Sequence, residues 1–85
     1  GTLGIGDSEI NNFEYFYNAS TKNLEMTSDE TLRKIEIFNI LGQKVFQENI
    51  NSNAHTSSLM NLGTSIYIVN IEGTTGMKSF KLLVQ

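Results

Sequence analysis

The chain of 85 residues is long enough for one small domain, and it contains neither cysteine nor proline. Disulfides and thiolate metal sites are therefore excluded, and ordinary packing must hold the fold. Nine acidic and six basic side chains give a net charge of −3, which argues against nucleic acid or an anionic membrane as a partner. No apolar run reaches the roughly 18–20 residues of a membrane span, so we expect no such span.

The N-terminal residues 1–12 contain three glycines and a polar run, without sustained periodicity. This composition predicts a linker, and we expect the folded domain to occupy residues 13–85. At its start, aromatic residues dominate 13–18, where Phe13, Tyr15 and Tyr17 fall on one face of a strand and residues 14, 16 and 18 on the other. A turn and a short strand containing Leu24 and Met26 follow, and residues 27–31 predict a second turn.

The pattern of segment 32–41 decides between a fold with helices and an all-β fold. A helical stripe from Leu32 would include polar residues at half of its positions, whereas β-branched and aromatic residues alternate as in a strand. A glycine turn at residues 41–43 then leads into a strand over 44–50, with Val45 facing inward and Phe46 outward. We therefore predict a hairpin here.

The C-terminal third predicts a second hairpin. Residues 51–62 are mostly polar and suit a loop or a short irregular strand. Residues 65–72 place apolar side chains on both faces of a strand, as expected for a central strand. The glycine-bounded turn 73–76 connects it to a last strand over 77–84.

The pattern as a whole predicts an all-β fold, an antiparallel β-sandwich of about seven short strands. Its core is drawn from alternating positions of these strands. The expected core residues are Tyr15, Leu24, Met26, Ile35, Ile37, Val45, Tyr67, Val69, Ile71, Phe80 and Leu82.

The sequence contains few residues suited to catalysis. His55 is the sole histidine and lies in a polar segment that predicts a solvated loop. The carboxylates at Asp29 and Glu30 fall in a turn-rich segment and are expected to be solvated, without calcium-loop spacing. The glycines form no phosphate-binding fingerprint. The sequence therefore predicts no enzyme, no cofactor and no metal site.

Two apolar features allow a binding role. The aromatic residues Tyr15, Phe16 and Tyr17 either supply rings to the core or form a platform for sugars. Alternate side chains of a strand point to opposite faces, so some apolar side chains of the central strands must point outward. They would form an exposed docking patch unless a loop or the linker covers them. The patch residues are Phe38, Ile40, Phe46, Ile66 and Ile68.

The order of these features resembles a known family, the type A C-terminal sorting domain of the type IX secretion system of Gram-negative bacteria. Phe16-Tyr17-Asn18-Ala19 stands where members have Tyr-Pro-Asn-Pro. The family's alternating strand, followed by Gly-Gln and a valine, is matched by IEIFNILGQKV at 35–45. Its later leucine, tyrosine-bearing strand, glycine turn and lysine-bearing last strand are matched by LGTSIYIVNI at 62–71, Gly76 and KSFKLLV at 78–84.

The resemblance covers about residues 13–85 and implies an immunoglobulin-like sandwich that acts as a secretion signal. The chain departs from the family pattern at Tyr17 and Ala19, where prolines are usual, and at Ser65, where a glycine is usual. The residues that match its C-terminal motifs, and hence the implied recognition residues, are Gly63, Tyr67, Gly76, Lys78, Lys81, Leu82 and Val84.

The resemblance also implies partners and a location. The partners would be outer-membrane translocon and sortase components, together with an upstream cargo domain in the same chain. The route would lead through the periplasm to the cell surface or the medium, with a sortase cut within or before residues 1–12. Two other hypotheses stay open: an accessory carbohydrate-binding or adhesive module, and a structural spacer without a partner.

Overall fold

A computed structural model describes residue 10 and residues 12–85 of the chain. The regular elements of this part are all β-strands, so the predicted all-β class is confirmed. Neighbouring strands are antiparallel, in one curled sheet of five strands where about seven short ones were expected. The strands are β1 (Glu14–Asn18), β2 (Asn23–Phe38), β3 (Lys44–Ser58), β4 (Ser65–Gly73) and β5 (Met77–Val84).

The long strand β2 organises the sheet. Its first half, residues 23–27, lies between β1 and the end of β3. Its second half, residues 32–38, lies between β4 and the start of β3, and β5 then pairs with β4. Register shifts between Thr27 and Lys34 lie between the two halves. Irregular pairing of this kind bends a strand, and here it accompanies the curl of the sheet.

One sequence prediction of irregular structure was wrong, and another holds in its second alternative. Residues 27–31, expected as a turn, continue β2 across the register shifts. Residues 51–62 were expected as a loop or a short irregular strand, and residues 51–58 continue β3 as a strand with irregular pairing. Most side chains of the two segments taken together are exposed, which explains their polarity. Pairing with β2 satisfies much of the backbone of residues 52–58, whereas residues 28–31 lie in a register shift, where the Thr31 carbonyl accepts a 3.1 Å hydrogen bond from the Thr74 N–H. Tertiary pairing thus overrides the local turn propensity.

The buried core agrees with the predicted one at most positions. Eight expected residues are buried, and Phe80 is half-buried against them. The eight are Leu24, Met26, Ile35, Ile37, Tyr67, Val69, Ile71 and Leu82. Sequence reasoning did not include six further core residues, namely Ile10, Leu32, Ile50, Leu59, Leu62 and Val84.

Two expected core residues are exposed instead. Val45 is 39% exposed because β3 contains an irregularity there: Ile37 pairs with Phe46, and Phe38 pairs with Lys44. The extra residue reverses the parity, so Phe46 faces the core and is half-buried against it, not outward as predicted. Tyr15 is 44% exposed, since it lies on β1 at the margin of the sheet.

Residues 1–9 and 11, most of the predicted linker, fall outside the described residues. Of the remainder, Ile10 is buried in the core. Asn12 has a positive φ of 51° and its side-chain amide donates a hydrogen bond to Asp29.

Candidate recognition surface

The hairpin of β4 and β5 contains most of the residues implied by the family motifs. Its eight pairs run without interruption from Ser65 opposite Val84 to Glu72 opposite Met77. Leu82 and Val84 point into the core and are buried, so they stabilise the fold and offer little surface to a partner. The exposed side chains of β5 are those of alternate residues: Met77, Ser79, Lys81 and Leu83.

The tyrosine and the glycine ahead of β4 form a structural unit. The Tyr67 hydroxyl donates a 2.8 Å hydrogen bond to the carbonyl of Gly63 from a largely buried ring. The Lys22 ammonium donates a 3.3 Å bond to the carbonyl of Leu62 next to it. These bonds satisfy carbonyls in the turn before β4, so the contacts of Gly63 and Tyr67 lie within the domain.

Glu30 holds the turn between β4 and β5. Its carboxylate accepts hydrogen bonds from the backbone N–H of Thr75 at 2.8 Å and from the Thr75 hydroxyl at 2.9 Å. The turn itself is closed by the Gly73 N–H, which donates to the carbonyl of Gly76 at 2.8 Å. The expectation that Glu30 is simply solvated was therefore wrong. Because its partner lies 45 positions away, no local pattern could reveal the contact.

Aromatic rings connect the first strand to the last. Tyr15 stacks on Phe80 with ring centroids 3.9 Å apart and planes 10° apart, and Phe13 lies 6.2 Å from the same ring. The Tyr17 hydroxyl donates a 3.3 Å hydrogen bond to the carbonyl of Gln85. Strands β1 and β5 are not paired in the sheet, so these side chains carry the contact between them.

Phe16 differs from the other residues of the aromatic segment. Its ring points outward, is 61% exposed, and lines a shallow cavity of about 170 Å³. The other lining residues are Glu14, Tyr15, Glu25 and Thr27. Phe16 is the one ring of the predicted platform that is mostly open to solvent.

Four apolar residues share the outer face of the central strands. Ile66 pairs with Leu83, and both are about half exposed. Ile68 lies between Lys81 on β5 and Phe38 on β2, and both Ile68 and Phe38 are half-buried. We call Phe38, Ile66, Ile68 and Leu83 the outer patch.

The outer patch lacks two residues of the predicted one and contains one further residue. Ile40 is exposed in the turn that follows β2, just beyond Phe38. Phe46 faces the core on the opposite side of the sheet. Leu83 was not among the predicted patch residues, although the alternation of β5 would have indicated its outward direction.

A polar cluster lies where β3 passes along both halves of β2. His55 Nε2 is 2.8 Å from Glu48 Oε1, and the buried Ser57 hydroxyl donates to the same oxygen at 2.8 Å. The expectation of a solvated loop histidine was wrong, because His55 is half-buried in a strand. Ser57 bonds the carboxylate and not the imidazole, which is not the arrangement that activates a serine nucleophile.

The pKa of Glu48 reflects opposing effects. Partial burial raises it, but hydrogen bonds from His55 and Ser57 and the charge interaction with His55 lower it further, so the pKa lies below its usual value. Among the described residues, no three histidine or acidic side chains are grouped closely enough to hold a metal ion.

Charge is unevenly distributed along the chain. Residues 73–85 contain two lysines and no acidic side chain, whereas residues 1–72 contain all nine acidic side chains and the other four basic ones. Lys81 projects from the exposed side of β5, opposite Ile68. Lys78 lies on the inner side, opposite Ile71, and is half-buried. The last strand is thus a basic element of an acidic domain.

The chain matches a known protein family. A family model described as the secretion system C-terminal sorting domain matches residues 15–85, which include all of β2 to β5 and most of β1. No curated protein matches the chain. The described part of the chain has no helix with the length and apolarity to cross a membrane.

Proposed function

Because the chain belongs to the family of type IX secretion C-terminal sorting domains, we propose that it directs an upstream cargo domain of the same chain through the outer membrane. The observation that carries this proposal is the extent of the family match, which includes nearly the whole described domain and its C-terminal hairpin. A sorting tail implies secretion to the cell surface or the extracellular space. The proposal assigns no catalysis and no cofactor to the domain.

The proposed route has three steps. The folded domain travels through the periplasm with its cargo, outer-membrane translocon components bind it, and a sortase cuts within or before residues 1–12. The cargo is then anchored at the cell surface. A linker of glycine and polar residues is suited to such a cut, since a protease cleft requires an extended segment.

The surface that we assign to translocon recognition is the outer side of the β4–β5 hairpin. Lys81 supplies a charge there and the outer patch supplies apolar area beside it. Exposed apolar surface next to a charge is typical of partner sites, where apolar contact contributes affinity and charge contributes specificity. Leu82 and Val84 support this surface from the core side and make no direct contact in the proposal.

The test is an export assay in a host with a type IX system. A reporter with an inner-membrane signal peptide is fused ahead of residues 1–85, and its amounts in periplasm, cell surface and medium are measured. We expect the fusion to reach the surface or the medium. Retention of the unmodified fusion in the periplasm, with the domain folded, would refute the sorting function.

The recognition surface is tested with matched charge reversals. Lys81→Glu changes the exposed lysine of β5, and Arg33→Glu makes the same change at an exposed position of β2. We expect Lys81→Glu to reduce export and Arg33→Glu to leave it unchanged. Equal export of the two variants would refute the assignment of this surface while leaving the sorting function intact.

A second candidate function is carbohydrate binding, and the exposed ring of Phe16 favours it. The cavity beside this ring is lined by Glu14 and Glu25, acidic residues that can accept hydrogen bonds from sugar hydroxyls while the ring stacks on a sugar face. A glycan array would test it. Binding that disappears in Phe16→Ala would support this function, and the absence of binding in the unmodified chain would eliminate it.

A further inference from the structure

The sheet has three edges among the described residues, and two of them are protected against pairing with another chain. β1 is short, with five residues, and the edge strand β3 has three register shifts in its pairing with β2. Short and irregular edges are two means of preventing strand addition, and a lysine on the edge is a third, which acts against strands that lack a complementary charge. β5 is neither short nor irregular, because its eight residues pair with β4 in one unbroken register.

The exposed backbone groups of β5 can be identified from the turn. Antiparallel strands alternate between residues whose N–H and C=O groups face the partner and residues whose groups face away. The bond from the Gly73 N–H to the Gly76 carbonyl sets this alternation. Counting from it, Lys78, Phe80 and Leu82 bond to β4, so the groups of Ser79, Lys81 and Leu83 point away from the sheet.

The side chains beside this edge define which strand would fit. Lys81 is exposed next to the outward backbone groups and makes no ion pair with the described residues. No acidic side chain occurs after Glu72. Leu83 and Ile66 offer apolar area on the same face. An added strand would therefore place acidic side chains near Lys81 and an apolar side chain near Leu83.

We propose that β5 is a site of strand addition, at which an extended acidic segment of a partner pairs with the outward edge of Ser79, Lys81 and Leu83. This inference rests on the proposed sorting function and specifies how the translocon reads the domain. Main-chain hydrogen bonds supply affinity in this mode, and the charge complementarity at Lys81 selects the partner.

The first test uses a defined probe and the 85-residue chain. Two synthetic peptides of about eight residues, the length of β5, alternate valine with either glutamate or lysine. Binding is followed by NMR titration and amide hydrogen exchange. We expect the glutamate peptide to bind about tenfold or more tightly than the lysine peptide and to slow exchange at Ser79, Lys81 and Leu83.

Three results would overturn the proposal. The first is no protection of these amides by the glutamate peptide, and the second is protection confined to β1 or β3. The third is full protection before any peptide is added, because the edge would then already be paired.

The matched variants are Ser79→Pro and Ser79→Ala. Both remove the hydroxyl that bonds Asn70, but only proline also removes the outward N–H. We expect Ser79→Pro to weaken glutamate-peptide binding about tenfold relative to Ser79→Ala. If Ser79→Pro does not fold, Lys81→Glu provides the comparison, with a reversed peptide preference expected. Equal binding by the proline and alanine variants, or an unchanged preference in Lys81→Glu, would refute the proposal.

The same variants in the export assay distinguish a failure of strand addition from a failure of the sorting function. Normal export of both Ser79 variants would refute strand addition as the mode of recognition while the sorting function stands. Failure of the unmodified fusion to be exported would refute the sorting function, whatever the peptide binds.

Discussion

The contact between Glu30 and the β4–β5 turn predicts an unusual response to the substitution Gly73→Ala. A Cβ at Gly73 would overlap Glu30 Oε2 and lie 3.0 Å from its Cδ. The backbone of Gly73 is not in the left-handed region, so alanine fits its conformation. The carboxylate can move aside, but it then loses its bonds to Thr75.

The size of the effect follows from these bonds. Hydrogen bonds to charged groups contribute about 1.5–3 kcal/mol each, and because this site is open to solvent we expect about 1–2.5 kcal/mol for both together. Glu30→Ala should lower the free energy of unfolding by that amount. Gly73→Ala should lower it slightly less, since alanine restricts the unfolded chain and returns about 0.4–1 kcal/mol.

The two changes should not add. Once Glu30→Ala has removed the carboxylate, Gly73→Ala displaces nothing and should be neutral or stabilising by about 0.4–1 kcal/mol. A double-mutant cycle measured by urea unfolding, followed by circular dichroism, gives the coupling directly. The control is Gly63→Ala, whose Cβ would have no atom within 4 Å and should show no coupling to Glu30→Ala. Equal losses from Gly73→Ala in both backgrounds would refute the reasoning.

Three further predictions concern stability. Because the pKa of Glu48 is lowered in the fold, its contribution is present above its ordinary pKa of 4.5 and lost as the pH falls below that value; Glu48→Gln should flatten the pH dependence of unfolding there, and an unchanged acid profile would contradict this. Ala19→Pro should be neutral or stabilising by about 0.4–1 kcal/mol, measured by thermal unfolding, because Ala19 is exposed in a turn and follows a strand residue; a clear loss would contradict it. Leu32→Ala, at a fully buried site, should lower the free energy of unfolding by about 2–5 kcal/mol, and Val45→Ala should lower it by much less. Similar urea midpoints for the two variants would contradict the exposed placement of Val45.

Local alternation predicted the all-β class and most of the core, because a strand with one buried face repeats with a period of two. The same rule failed at Val45 and Phe46, since one irregular residue in β3 reverses the parity beyond it. No composition signal marks that position, and the outer patch was assigned with one wrong member as a result.

Long-range contacts account for the other differences. Residues 51–58 show no clear strand pattern because their pairing partners lie on the distant strand β2, and this pairing keeps them extended. Residues 28–31 of β2 looked like a turn, and they fall in a register shift of the same pairing. His55 and Glu30 were both expected to be solvated. The residues around each of them in the sequence do not show which side chains the fold brings into contact with it. The family was identified from the order of its motifs along the chain, which depends less on such contacts.

The hydrogen bond from Tyr17 to Gln85 joins residues 68 positions apart, so the first strand and the last residue are neighbours in space. A circular permutant can therefore be designed: a linker would join Gln85 to Ile10, so that this core residue is kept, and new ends would open in the exposed turn at Gly42. In such a molecule β5 keeps its place in the sheet but is followed by more chain. Its secretion would tell whether the export machinery reads the folded surface alone or also requires β5 to be the last element of the domain.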